Sequence, residues 1–264
     1  MKTTFRFFSN PEPKSKKVEI LVRRMLRDIK NFTESNTTAD FNIAVGGDGS
    51  FLHMVRACDY NPKLKYVGIN TGTLGFLQEI KPDDLAEFIR NLKNGEFTEE
   101  QVSYIKSMFR SKQGEASFNC LNELVIREEQ LKTMYMDVRV NGDKLENFAG
   151  DGVLMCTSIG STAQNLGYGG SIVPSQFDTL QLTPIAPTNT PNNLRNSIIL
   201  PNDAVIEMSP EHRTKNLFIS NDGENSTLRN VKYIQVQLAP DKISRITMPN
   251  YSFYNKVHEK FSSN

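Results

Sequence analysis

Asn42-Ile43-Ala44-Val45-Gly46-Gly47-Asp48-Gly49-Ser50-Phe51 is the stretch that decides the fold. An apolar run stops at two glycines, an acid and a third glycine, and Phe51, Leu52 and Val55 then recur at helical spacing as far as Cys58. This is the pattern of a buried strand passing into a helix at the carboxyl end of a parallel strand, where open α/β sheets bind ligands. Glycines let backbone N–H groups approach a phosphate closely, and the N-terminus of the following helix favours an anion. An aspartate in such a turn repels phosphate. It has a use there if it meets a magnesium ion bridged to phosphate, accepts the proton of an attacking hydroxyl, or caps the helix.

Outward from this turn, the first hundred residues alternate in type. Thr3–Phe8 reads as a short strand, and residues 13–32 as a helix carrying Val18, Leu21, Val22, Met25, Leu26 and Ile29 on its apolar positions. The basic residues Lys14, Lys16, Lys17, Arg23, Arg24 and Arg27 fall on its solvated face. Tyr66–Ile69 is a second buried-type strand, ending in Asn70-Thr71-Gly72-Thr73-Leu74-Gly75-Phe76, and Pro82–Leu92 is a helix with Leu85, Phe88, Ile89 and Leu92 on one face. The order predicts an α/β domain with a parallel sheet over residues 1–100.

Past Gly95 the texture is β. Val102–Arg110, Phe118–Arg127, Thr133–Val140, Val153–Cys156, Leu217–Ile219, Val231–Leu238 and Ile243–Met248 read as strands, with a hairpin turn at Asn141-Gly142-Asp143. Residues 101–249 are therefore expected to form a second, all-β domain. The Pro-, Asn- and Thr-rich stretch Pro184–Asn196 reads as a loop, and the tail over 250–264 as a short helix that packs back on the first domain.

Composition limits the partners. The chain has 264 residues, 31 basic against 30 acidic, a net charge of +1, which is no footprint of a nucleic-acid binder. With 38% hydrophobic residues, 16 Phe and 8 Tyr it is too apolar to be disordered. No apolar run approaches the roughly 20 residues of a membrane span, and the N-terminal aromatic patch is cut short by Pro11, Pro13 and lysines. Cys58, Cys120 and Cys156 form no CxxC and read as reduced thiols, so a cytoplasmic protein is expected, with its Asn-x-Ser/Thr sequons unused. His53, His212 and His258 read as packing or surface residues.

No G-x-x-x-x-G-K-[ST] is present, and Leu52 stands where the third glycine of G-x-G-x-x-G belongs, which disfavours a P-loop enzyme and a hydride-transferring Rossmann enzyme. Three further segments carry chemistry. The Asn70–Phe76 loop lies beside the first turn in an α/β sheet. Asn122-Glu123, inside an apolar strand, sets an amide beside a carboxylate and suits two neighbouring ribose hydroxyls. Gly150-Asp151-Gly152 and Gly160-Ser161-Thr162-Ala163-Gln164 flank a strand with small residues, against which a flat ring can lie.

Taken in order, Gly46-Gly47-Asp48-Gly49, Thr71-Gly72-x-Leu74-Gly75-Phe76, Asn122-Glu123, Gly150-Asp151-Gly152, Gly160-Ser161-Thr162-Ala163 and Asp222 resemble the NAD kinase family over roughly residues 40–225. Gly-Gly-Asp-Gly alone is shared with diacylglycerol, sphingosine and phosphofructo-kinases; the ordered set is specific. The resemblance implies the two-domain NAD kinase/diacylglycerol kinase-like architecture, and phosphoryl transfer from ATP or polyphosphate to the 2′-hydroxyl of the adenosine ribose of NAD. It implies Mg²⁺ or another divalent cation arriving with ATP, no metal-ligating residue set of the chain's own, and a homotetramer or homodimer with sites built between domains and subunits. Asp48 then orients or deprotonates the 2′-hydroxyl, and Gly46, Gly47 and Gly49 cradle phosphate. Asn122 and Glu123 hold ribose hydroxyls, while Phe76, Asp151, Ser161, Thr162, Ala163, Gln164 and Asp222 line the NAD pocket. Similar enzymes usually carry Tyr where this chain has Gln164, and some have His where it has Gly223. Two other readings stand beside this one: a lipid kinase of the diacylglycerol or sphingosine type, and a catalytically silent NAD-binding sensor.

Overall fold

In the computed structural model, which describes residues 2–262 apart from Leu74 and Asn192, the Asn42–Phe51 stretch is a strand and a helix joined by the single residue Gly47. The chain divides into two units, residues 1–102 with 241–264, and residues 103–240.

The first unit opens with β1 (Thr3–Ser9), α1 (Pro13–Arg27), β2 (Phe32–Glu34), β3 (Phe41–Gly46), α2 (Asp48–Ala57), β4 (Lys65–Asn70), α3 (Leu85–Asn94) and β5 (Thr98–Val102). All six residues of β3 are buried, as in a parallel strand covered on both faces. The helix α1 stops at Arg27, short of the expected Phe32, and the chain turns through Asn31 at φ 73° to place Phe32 in β2. Leu21, expected on the buried side of α1, is about half exposed, as is Ile20. A single 3-10 turn at Pro82–Asp84 precedes α3, which buries Leu85, Phe88 and Leu92 and ends on Gly95 in the left-handed region.

The second unit holds β6 (Ile105–Ser111), β7 (Gly114–Cys120), β8 (Glu123–Glu128), β9 (Met134–Val140), β10 (Asp143–Thr157), the single helical turn α4 (Gln164–Gly167), β11 (Thr179–Pro187), β12 (Ile198–Pro201), β13 (Val205–Pro210), β14 (Asn216–Asn221), β15 (Glu224–Arg229) and β16 (Val231–Leu238). They form one antiparallel sheet in the order β15-β14-β8-β10-β9-β13-β16-β6-β7, with β11 pairing β10 and β12. Its core is a run of alternating inward residues, among them Phe109, Met136, Phe148, Met155, Ile206 and Ile234. The β9–β10 hairpin turns on Asn141 and Gly142, both at positive φ, as the Asn-Gly pair requires.

Three expectations are corrected. The stretch from Pro184, expected to be a loop, begins inside β11, which pairs with β10 as far as Pro187. Its other partner, β12, covers only Thr179–Leu182, so the prolines sit where one side of the strand has no ladder to break. Phe118–Arg127 is two strands, interrupted at Leu121 and Asn122. The last strand also changes place. β17 (Ile243–Thr247), expected in the second domain, returns to the first sheet, parallel to β4 and antiparallel to β5, giving the order β2-β1-β3-β4-β17-β5. Alternation identifies a strand but not its sheet. Here the fully buried Arg245 fixes the register by pairing with Glu100 on β5, Nε to Oε2 2.7 Å. The chain closes with α5 (Phe253–Ser262), whose Phe253 and Phe261 rings lie 6.3 and 6.1 Å from that of Phe76 in the same unit. Residues 263 and 264 of the expected tail lie outside the described residues.

Candidate active site

In the first unit, Gly47 is the N-cap of α2 and Asp48 its first residue. The Asp48 carboxylate reaches across to the loop after β4, where Oδ2 accepts from the Phe76 N–H at 2.8 Å and Oδ1 from the Leu77 N–H at 3.0 Å. The amide of the fully buried Gln78 adds a third clasp, donating to the Gly47 carbonyl at 2.7 Å. Two backbone donors fix the plane of the carboxylate. Gly75 makes the approach possible, since a Cβ there would overlap both carboxylate oxygens of Asp48. Gly75→Ala is expected to push the carboxylate out of this seat, lowering turnover about tenfold and the melting temperature by several degrees; steady-state kinetics with a parallel melt checks it. Leu74, the remaining member of this motif, lies outside the described residues.

What Phe76 presents to Asp48 is its N–H; its ring is buried against Phe253 and Phe261. Gly46 ends β3 and Gly49 follows Asp48 in α2. Beside them a cavity of about 410 Å³ is lined by Phe8, Asn10, Pro11, Gly47, Gly49 and Ser50, and by His53, whose ring meets that of Phe8 edge-on. His53, read from sequence as a packing residue, therefore also forms a wall of this cavity.

The second unit gathers Asn122, Glu123, Asp222, Gly160 and Gln164. The Asp222 carboxylate accepts three backbone N–H bonds in a row, from Leu121 (2.6 Å), Asn122 (2.8 Å) and Glu123 (3.1 Å). This capture is what interrupts the strand there. Asp222 and Gly223, at φ 46° and 83°, make the tight β14–β15 turn that aims the carboxylate. Gly160 closes against the same segment, where a Cβ would overlap the Asn122 carbonyl. Thr157 donates its hydroxyl to the Leu121 carbonyl at 2.7 Å.

The Asn122 Oδ1 and one Glu123 oxygen, Oε2, are buried with no hydrogen-bond partner among the described residues. Burial, and next the Asp222 charge, push the Glu123 carboxyl up to about 8, against a bond from the Gln164 backbone N–H. Near neutral pH Glu123 is therefore largely protonated, able both to donate and to accept. Between roughly pH 4.5 and 8 the folded chain keeps a proton that the unfolded chain has released, so this group's contribution to stability is lost as pH rises. Glu123→Gln is expected to flatten that slope and to melt higher than the parent at pH 8 by several degrees, on the order of 2 kcal/mol. Equal slopes in melts from pH 4.5 to 8.5 would count against it.

Not every expected site residue joins this cluster. Ser161 is fully enclosed, its hydroxyl donating to the Val173 carbonyl and accepting from the Val173 N–H, so it staples the loop. Thr162 and Ala163 are half-buried, and Gln164, which meets Glu123 only through its backbone N–H, is otherwise exposed. Asp151 is exposed on β10, five residues before Cys156, the residue that pairs with Glu123; the strand rise separates the two levels by about 17 Å. Among the described residues, no three His, Cys, Asp or Glu side chains converge as a metal site.

A carboxylate locked at the start of a helix after two glycines, in a chain whose other unit keeps buried acceptors unpaired, defines a nucleotide-handling phosphotransferase class. Family comparison narrows the class: the ATP-NAD kinase N-terminal domain matches residues 3–97 and the ATP-NAD kinase C-terminal domain residues 121–248. The NAD kinase of Finegoldia magna is 30% identical over 263 residues, 96% of each chain, and that of Streptococcus pneumoniae 34% identical over 264 residues, 96% of this chain and 94% of the relative. The chain belongs to the NAD kinase family, a family of enzymes. Solved structures agree on the fold. Yeast NADH kinase complexed with NADH superposes with a TM-score of 0.87 at 18% identity, over 100% of this chain and 88% of that one. The Archaeoglobus fulgidus NAD kinase in complex with ATP gives 0.76 at 20% identity, over 97% and 98%.

Proposed function

We propose that this chain transfers a phosphoryl group from ATP, or from polyphosphate, to the 2′-hydroxyl of the adenosine ribose of NAD, giving NADP. The observation that carries the reading is the Asp48 carboxylate, held by two backbone N–H groups at the head of α2. A binding protein gains nothing from a fixed negative charge beside phosphates. A phosphotransferase does, because the acceptor hydroxyl must lose its proton as the new O–P bond forms. Asp48 takes that proton. Gly46, Gly47 and Gly49 offer backbone N–H groups and the positive end of α2 to the donor phosphates, which occupy the cavity walled by Gly47, Ser50 and His53.

Asn122 Oδ1 and Glu123 Oε2, the unpaired buried oxygens, receive ribose hydroxyls, and Asp222 positions both residues through their backbone. Thr162, Ala163 and Gln164 border the NAD site. Asp151, remote from Glu123 along β10, serves the site of a second copy in a homodimer or homotetramer. Phe76 and Ser161 act through packing and backbone rather than by touching NAD. A divalent cation such as Mg²⁺ would arrive with the nucleotide donor and neutralise charge on its phosphates. A cytoplasmic location follows from the same substrates. No helix among the described residues is long and apolar enough to cross a membrane.

The test couples purified protein, NAD, ATP and Mg²⁺ to an NADP-specific dehydrogenase and follows NADPH. A signal dependent on ATP supports the reading. A flat trace with ATP and with polyphosphate, on NAD and on NADH, would return the lipid-kinase and sensor readings to the front.

A further inference from the structure

Behind the Asp48 clasp, on the side away from the glycine turn, the first unit buries charged groups that the proposed chemistry does not use. Lys256 on α5 is 7% exposed and donates from Nζ to the Gln78 carbonyl at 2.8 Å. Arg245 on β17 donates to the Phe76 carbonyl at 3.1 Å. Glu79 accepts from the Met248 N–H at 3.1 Å, and its second oxygen is buried without a partner. Phe76, Leu77 and Gln78 thus face two ways. Their N–H groups and the Gln78 amide hold Asp48 and Gly47, while the Phe76 and Gln78 carbonyls are held by cations from the end of the chain.

We propose that Lys256 is a positioning residue for phosphoryl transfer: its ammonium anchors the Gln78 carbonyl and so keeps the Phe76–Gln78 segment clasped on Asp48 and Gly47. The inference rests on the reading of Asp48 as the group that accepts the 2′-hydroxyl proton. An ammonium is a costly way to satisfy one buried carbonyl, since desolvation penalises it heavily. The Asp48 carboxylate is one of the charges that support the buried ammonium. Burial pulls Lys256 down to about 8, opposed by Glu79, Asp48 and Glu259 and assisted by Arg245. Glu79 in turn is raised to about 7, by burial and by Glu100, against Arg245, the Met248 N–H and Lys256. Glu79, Lys256 and Glu259 line one small polar cavity, together with the charged Lys81 and Asp84.

Lys256 then loses its charge as pH rises through about 8, and turnover should fall over the same range. In Lys256→Met, which keeps the length of the stem, kcat at pH 7 should fall about tenfold with KM for NAD and ATP within about twofold, and the alkaline fall should shrink to the part that ionisation of Glu123 contributes. Lys256→Arg, which keeps charge and donors, should restore most of kcat and move the fall to higher pH. Amide hydrogen exchange at Phe76 and Leu77 should quicken about tenfold in Lys256→Met and stay near the parent rate in Lys256→Arg.

A lower melting temperature with parental kcat, pH profile and exchange at these two amides would mean that Lys256 only stabilises α5, and would overturn the proposal. If Lys256→Met does not fold, the pH profile of Lys256→Arg decides: an alkaline fall of parental size and midpoint overturns it. If the parent protein makes no NADP, the kinase reading fails on its own. The exchange data still report whether Lys256 holds the clasp.

Discussion

Asp48→Asn is expected to lower kcat by about 10²–10⁴-fold while leaving the affinity for NAD within a few-fold, the pattern of a lost general base. The substitution acts twice. It removes the basic oxygen that takes the 2′-hydroxyl proton. It also turns an NH₂ toward the N–H of Phe76 or Leu77, each of which now donates to a carboxylate oxygen. A donor facing a donor loosens the clasp, so part of the fall belongs to the loop. Asp48→Asn and Gly75→Ala separate the two contributions: Gly75→Ala keeps the carboxylate and disturbs only its seat. A fall in Asp48→Asn no larger than in Gly75→Ala would make the carboxylate a structural latch. Near-parental turnover in Asp48→Asn, measured by NADPH formation in the coupled assay, would sink the assignment outright.

What the sequence made legible follows from how local each signal is. The β3–α2 turn was readable because apolar run, glycines, acid and helical spacing fall within ten consecutive residues, although the use of the acid itself stayed open. Asn122-Glu123 was readable as an amide beside a carboxylate, but what holds its backbone is not, because Asp222 lies a hundred residues on. The same holds for the clasp. The Asp48 bonds to Phe76 and Leu77 span 28 and 29 residues, and the Lys256 bond to Gln78 spans 178. Long-range capture of this kind leaves no periodic trace. β5 escaped for another reason: Thr98-Glu99-Glu100-Gln101 has no apolar alternation, and its pairing with β17 draws on Arg245 and Ser244, which meet Glu100 and Gln101 across the ladder.

The capture by Asp222 carries the second large effect. Asp222→Ala leaves the N–H groups of Leu121, Asn122 and Glu123 without their common acceptor, in a segment that is buried throughout. An orphaned buried donor costs about 1–3 kcal/mol, and water entering the space left by the carboxylate recovers part of it. Alanine at φ 46° adds about 1 kcal/mol of left-handed strain. Together these predict a loss of about 3–5 kcal/mol and a melting temperature lower by roughly 10 °C in calorimetry. Asp222→Asn, which tolerates the left-handed region and keeps one acceptor oxygen, should cost less than half as much. Removing the charge has a further consequence at Glu123, whose carboxyl Asp222 helps to hold near 8. In both variants that group should titrate lower, so the decline of stability with pH still begins near pH 4.5 but ends at lower pH and is smaller. If Asp222 instead worked by touching NAD, Asp222→Ala would keep its melting temperature and raise KM for NAD. A fall in stability that precedes any change in KM assigns Asp222 to the backbone it holds, and through that backbone to the placement of the two unpaired oxygens beside it.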